Sequence, residues 1–256
     1  MGNFFPRWTN FLPLKIIVAL GLVGTAAIAA ITVYWTPKYS RVGFMPEQPI
    51  PFDHSVHVGQ LGMDCRYCHS FVEKSLHSNI PSTQTCYNCH QHIKPESEKL
   101  APLREAMQTG EPIEWVQIHK TPDYAFFSHE VHVNRGVSCQ SCHGQVNEMQ
   151  VVWQDHSQTM GWCLDCHRNP ENKLRPLEEI TNLDWKPADT SRDGFYADLQ
   201  KVYAAAGEEK TVEELVEFVK GHGLKAEGDL TQKEIGLQLK EAWGVQPPQS
   251  CSACHR

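Results

Sequence analysis

The chain has 256 residues, with 30 acidic side chains against 23 basic ones and a formal net charge of −7. That balance argues against a nucleic-acid partner, and the length allows one or two domains. Gly and Pro number 17 and 16 and aliphatic residues are thin outside the N-terminus, so side chains alone would close an apolar core poorly; a large apolar cofactor would supply the missing surface.

In chain order, the first element is an apolar helix. After Arg7 and Lys15 the residues from Ile16 to Thr36 carry no charge, and Pro37 stops the run. About 20 such residues cross a bilayer as a helix, and Trp8 at one end with Tyr34 and Trp35 at the other stand where aromatic belts form. Ala27-Ile28-Ala29 resembles a signal-peptide cleavage site, but the apolar run continues through Ile31, Val33 and Tyr34, so a retained anchor is expected. Lys38 and Arg41 balance Arg7 and Lys15, which leaves loop charge silent on orientation. Gly21, Thr25 and Ala29 recur every fourth position, as do Ala26 and Ala30, a pattern that admits close approach of another membrane helix. Residues 1–36 thus read as a cytoplasmic tip and transmembrane anchor, and residues 37–51, with four prolines, as an extended linker.

All ten cysteines beyond the anchor fall in pairs, each pair followed by histidine. The motifs are Cys65-Arg66-Tyr67-Cys68-His69, Cys86-Tyr87-Asn88-Cys89-His90, Cys139-Gln140-Ser141-Cys142-His143, Cys163-Leu164-Asp165-Cys166-His167 and Cys251-Ser252-Ala253-Cys254-His255. Two thiols three positions apart form thioethers to the vinyl groups of one haem, and the next residue offers an imidazole to its iron. A zinc ribbon needs two CxxC pairs per metal and has no use for a histidine after each; a disulfide framework would not repeat one spacing five times. Five covalently bound c-type haems are expected. Attachment of such haems takes place outside the cytoplasmic membrane, so the expected topology is single-pass, with the C-terminal domain on the periplasmic face.

Residues 52–190 contain a tandem repeat. Phe52-Asp53-His54-Ser55-Val56-His57-Val58 with Gly62 precedes Cys65, and Phe127-Ser128-His129-Glu130-Val131-His132-Val133 with Gly136 precedes Cys139; each half then carries a second motif, at Cys86 and Cys163. Histidines at i and i+3 share a helical face yet diverge enough to serve two irons. His54, His57, His129 and His132 are therefore candidate sixth ligands beside the motif ligands His69, His90, His143, His167 and His255. Four such histidines leave one iron wanting, and His119, Met160, His156, His77, His92 and His222 compete for it. Met160, three residues before Cys163, and His119 lead that group; adding both would displace a paired histidine. A thioether at Met160 would raise the potential of its haem.

The F-[DS]-H-x-x-H pattern ahead of CxxCH resembles the small class III multihaem cytochromes, in which the first histidine usually serves the next haem and the second a neighbour. More closely, Gly62 to His69, Ile118 to Tyr124, Met160 to Arg168 and the closing Cys251 to Arg256 resemble the pentahaem cytochrome c subunit of bacterial alternative complex III, over roughly residues 45–190 plus the last motif. The resemblance implies a respiratory electron-transport role among an iron–sulfur subunit, polytopic quinol-oxidising subunits and a monohaem cytochrome. Small tetrahaem quinol dehydrogenases match less well: Phe71, His92, Gln145 and Asn169 stand where those proteins often place methionine. No motif ends in lysine, as in several catalytic multihaem enzymes. The anchor carries no acidic or histidine residue for quinol protons, so no substrate chemistry is expected on this chain alone.

Residues 191–256 read as a helical segment ending in the fifth motif. A short helix is expected over Leu100 to Met107, and Thr211-x-x-Glu214 and Thr231-x-x-Glu234 are capping-box signatures with Gly221 and Gly244 as C-caps. Leu215, Phe218 and Val219 line one face of the first of these helices, while Ile235, Leu237 and Leu239 suggest partial burial of the second. His222 is expected at a helix end facing water, and His92 on the surface. The fold class expected is mostly α and irregular: one transmembrane helix and a multihaem domain packed around its haems.

Overall fold

The structure, a computed structural model, describes residues 6–36 and 40–255; Pro37 and Lys38, with the roles read for them above, lie outside the described residues, as does Arg256. The chain divides into two units, Met1–Val42 and Gly43–Arg256.

In the first unit helix α1 (Leu12–Ala30) follows a 3-10 turn at Arg7–Phe11 and runs on into a π-type turn, Ile31–Trp35. Beyond Lys15 in its first turn it is apolar on every side, and none of its residues is buried. A helix without a polar face has no stripe to bury and is at home in hydrocarbon. The 28 residues Trp8–Trp35 are long and apolar enough to cross a membrane, so this is a candidate anchor. The hydroxyls of Thr25 and Thr32 donate to the carbonyls of Gly21 and Ile28 at 2.8 and 2.9 Å, which keeps their protons satisfied in lipid.

The second unit opens on extended residues that bond to neighbouring loops. Gly43 N–H donates to Gln154 O at 2.8 Å, Gln154 N–H to Phe44 O at 3.1 Å, and the Gln48 amide bonds both ways to the backbone of Val116 at 2.9 Å. Proline bars this stretch from a helix, and neighbouring loops supply its partners instead. Short helices then carry the motifs and the repeat: α2 (Cys65–Cys68), α3 (Thr83–His90), α4 (Ala101–Thr109), α5 (His129–Val133), α6 (Gln140–His143) and α7 (Met160–Arg168). Helix α4 fills the place of the expected Leu100 to Met107 helix and ends at Gly110, whose φ of 77° suits only glycine comfortably.

Three further helices, α8 (Arg192–Ala205), α9 (Val212–Gly221) and α10 (Gln232–Ala242), precede the last motif on α11 (Cys251–Cys254). They hold the principal cluster of buried apolar side chains: Phe195, Tyr196, Leu199 and Tyr203 of α8, Leu215 of α9, Ile235 and Leu239 of α10, with Leu174 and Trp185. Helix α8 has no counterpart among the expected helices, and α10 is far deeper than partial burial, with Ile235 and Gln238 fully enclosed. Both arms of the Thr211 capping box form. At Thr231 only one forms: the hydroxyl accepts from Glu234 N–H at 3.2 Å, while the Glu234 carboxylate turns inward to Arg192 and Tyr196. Gly221 ends α9 as its last helical residue, and the left-handed position is Gly223, at φ 77°; Gly244, at φ 57°, is left-handed as expected.

Helix α10 also packs on the turn Pro170–Asn172, so closely that a methyl group added to Gly236 would run into the Glu171 carbonyl. Alanine in a helix normally gains about 1 kcal/mol over glycine. Here overpacking against backbone reverses the sign, and Gly236→Ala is expected to destabilise the chain by about 3 kcal/mol, measured as a lowered midpoint of thermal unfolding.

Candidate functional site

Each CxxCH motif lies on a helical turn, which brings thiols at i and i+3 to one face with the histidine just beyond. Asp64 caps α2 by accepting from Arg66 N–H at 2.8 Å, and Ser82 caps α3 through Thr85 N–H at 3.4 Å. All ten thiols are free of disulfides. Among the described residues no group of three or more His, Cys, Asp or Glu gathers as a metal-only site.

The repeat in sequence is a repeat in space. Phe52 meets His54 edge-on at 4.7 Å and stacks on His57 at 4.4 Å; Phe127 meets His129 edge-on at 4.8 Å and stacks on His132 at 4.6 Å. His57 Nδ1 bonds to Asp53 O at 2.8 Å and His132 Nδ1 to Ser128 O at 2.7 Å. Gly62 and Gly136 share positive φ values of 66° and 83°, the reason a glycine recurs before each first motif. The sequence pattern marks both phenylalanines as repeated, but their place between two imidazoles appears only in the fold.

One nitrogen of most candidate imidazoles is fixed by backbone. Besides His57 and His132, the Nδ1 atoms of His69, His90, His129, His167 and His255 meet carbonyls of Asn79, Ile93, Leu76, Pro248 and Tyr124 at 2.7, 3.0, 3.1, 2.6 and 3.2 Å. A carbonyl accepts only, so Nδ1 carries the proton and Nε2 keeps its lone pair for a metal. Burial acts in the same direction: it lowers His129 and His132 and takes His54 down to about 4 and His143 to about 3, holding the rings in the neutral, ligating form. Burial also pushes the Cys142 thiol up to about 12.

The imidazoles then fall into pairs. Ring centres of His57 and His90 are 6.2 Å apart, those of His132 and His167 6.1 Å, and those of His129 and His143 6.4 Å with planes 8° from parallel. Two imidazoles on opposite sides of one metal, each bonded at about 2 Å, place their ring centres on the order of 6 Å apart. His54 stands near enough to His69 for their charges to interact, and its own Nδ1 is buried without a hydrogen-bond partner.

The other candidates scatter. His119 lies edge-on to His143 at 4.4 Å, too short for a trans pair about one metal. Met160 opens α7 with 67 % of its surface exposed. His156 pairs with Asp155 at 3.4 Å and stacks on Trp162, His77 lines a hollow with Tyr124, and His92 is exposed. His222 is the C-cap of α9, its Nδ1 bonded to Phe218 O at 2.9 Å. Around the motifs, Leu61, Tyr67, Ile80, Ile93, Tyr124 and Val131 present apolar side chains at the surface. Single exposed apolar residues need no explanation, but this many beside paired thiols and imidazoles form a surface of the kind a porphyrin covers.

Thiol pairs, metal-ready imidazoles and apolar walls together define the class: a c-type cytochrome with several haems. Residues 125–189 match the family of cytochrome c7 and related cytochrome c. Over 165 residues the chain is 31 % identical to a protein of Nitratidesulfovibrio vulgaris named menaquinone reductase, multiheme cytochrome c subunit, a match covering 62 % of this chain and 74 % of that protein. The chain belongs to the multihaem cytochrome c family represented by that subunit, whose members carry covalently bound c-type haem.

Proposed function

We propose that the chain is the electron-transfer subunit of a membrane quinone oxidoreductase, holding five c-type haems outside the cytoplasmic membrane. The observation that carries this reading is the set of imidazole pairs at 6.1, 6.2 and 6.4 Å, each joining a motif histidine to a histidine of the repeat. In this reading the ten motif cysteines are thioether attachments, and the iron ligands are His54 with His69, His57 with His90, His129 with His143 and His132 with His167. The fifth iron takes His255 and one further donor, with His119 and Met160 as candidates.

When bound, haem iron supplies a reversible one-electron couple. The chain's own residues do the rest. Carbonyls on Nδ1 fix the tautomer and plane of His57, His69, His90, His129, His132, His167 and His255 and raise their donor strength. Phe52 and Phe127 hold two rings apiece in place. No acidic or histidine side chain lies in Trp8–Trp35, so quinone protonation belongs to a partner subunit.

The partners expected from the resemblance to alternative complex III are an iron–sulfur subunit, polytopic membrane subunits and a monohaem cytochrome, with electrons arriving from quinol. The name of the Nitratidesulfovibrio vulgaris relative points to the opposite direction, delivery to quinone. Mass spectrometry of the mature chain tests the cofactor: the expected mass is the polypeptide plus five haems, and a bare or zinc-loaded mass overturns the reading. Quinol oxidation and quinone reduction by the intact complex, assayed separately, decide direction. Quinol turnover by the isolated chain would move the quinone site onto this subunit.

A further inference from the structure

The motifs are not joined in space in the order in which they occur in the sequence. Motif 1 (Cys65) is tied to motif 2 (Cys86) through Asn79: its carbonyl receives His69 Nδ1 at 2.7 Å and its amide donates to Cys68 O at 3.1 Å, three residues before the cap of α3. Motif 1 is tied to motif 3 (Cys139) by residues 180 and 181. Thr181 Oγ1 donates to Asp64 at 3.0 Å, while Ser138 Oγ donates to Ile180 O at 2.8 Å and Cys139 N–H to the same carbonyl at 3.4 Å. The helix of the second repeat adds a second strut, with His129 bonded to Leu76 O and Asn134 Nδ2 to Glu73 O at 2.9 Å.

Motif 3 meets motif 4 (Cys163) through Gln158, whose amide donates to Cys142 O at 3.4 Å, and through α5, which faces His143 with His129 and His167 with His132. Motif 4 meets motif 5 (Cys251) where His167 Nδ1 bonds to Pro248 O at 2.6 Å. The thiols agree: Cys68 neighbours Cys86 and Cys89, Cys65 neighbours Cys139, Cys142 neighbours Cys163 and Cys166, and Cys163 neighbours Cys254. Of the ten thiols, Cys89 and Cys251 are the exposed ones, and they belong to motifs 2 and 5; the other eight are partly covered.

We propose that the five attachment sites form one row in the order Cys86, Cys65, Cys139, Cys163, Cys251, and that electrons enter and leave the chain at its two ends, beside His90 and His255. This rests on the reading of the motifs as haem sites. An external one-electron reductant would give up its electron beside one end, and an external one-electron oxidant would take one up beside the other. No bond is made or broken and no proton moves. The row requires the fold to place the first two motifs in reverse of their sequence order, which lets motif 1, not motif 2, adjoin the second repeat.

Iron anomalous scattering, or cryo-electron microscopy of the intact complex, locates the five irons in the loaded full-length chain. The expected result is that the iron at Cys86 has the one at Cys65 as its nearest neighbour and the iron at Cys251 has the one at Cys163. An iron at Cys86 nearest to any other, or an iron at Cys251 nearest to that of Cys65, overturns the order; motifs without iron would instead remove the reading beneath it. The role of the ends is tested kinetically. A ruthenium photosensitiser on the exposed His92, in a His222→Gln background, should reduce a centre tagged by His57→Met sooner than one tagged by His132→Met. Equal or reversed arrival overturns entry at that end.

Discussion

Replacing Glu234 by alanine is expected to lower the thermal midpoint of the loaded chain by on the order of 10 °C, because removing one member of a buried ion pair costs about 3–5 kcal/mol. Glu234 is 2 % exposed and Arg192 21 %. The carboxylate holds the Arg192 guanidinium and accepts from Tyr196 Oη at 2.9 Å. Burial, with Glu234, raises the Tyr196 phenol to about 12, so it remains a donor throughout the working pH range. Alanine would leave the guanidinium without its counter-charge and the phenol without its acceptor, at the junction of α8 and α10 where the largest apolar cluster lies. Replacing both charged partners by methionine should recover much of the loss, since desolvation of the two charges then disappears with their attraction. Thermal unfolding followed in the far ultraviolet separates the cases; an unchanged midpoint in Glu234→Ala would show that the pair contributes nothing.

What could be read beforehand follows from the range of each interaction. The candidate thiols and histidines stand out in the sequence because the chemistry proposed for them is local, confined to five consecutive residues. The repeat is legible because two copies of one local structure preserve one local sequence, down to the left-handed Gly62 and Gly136. Glu234 shows where such reading stops. Thr231-x-x-Glu234 is a sound local signature, and its hydroxyl arm forms, but a partner at Arg192 outweighs the second arm. Helix α8 was within reach: Ser191 as its cap and Phe195, Leu199, Val202 and Tyr203 at helical spacing carry the pattern. The spatial order of the motifs was not. It is set by single hydrogen bonds such as Thr181 to Asp64 and His167 to Pro248, which join residues 117 and 81 positions apart and leave no local mark.

The second large effect is expected at His132. Its ring centre lies 6.1 Å from that of His167, its Nδ1 is anchored on Ser128 O, and Phe127 stacks against it at 4.6 Å. A neutral imidazole so held is a strong-field donor that keeps a ferric centre low-spin. His132→Ala removes that donor and puts a methyl group in its place, so on the proposed ligand assignment one haem should become high-spin and bind carbon monoxide stoichiometrically when reduced. The potential of that centre should also change, interrupting the row between motifs 3 and 5. His57→Ala should give the same signature at the motif 2 end, where the corresponding ring centres are 6.2 Å apart. His222→Ala, exposed at the end of α9, is the control and should leave every haem as it was. Electron paramagnetic resonance and carbon monoxide difference spectra read the result. Five unchanged low-spin centres in His132→Ala would mean that another side chain serves that iron, and His119 or Met160 would then have to be tried there in turn.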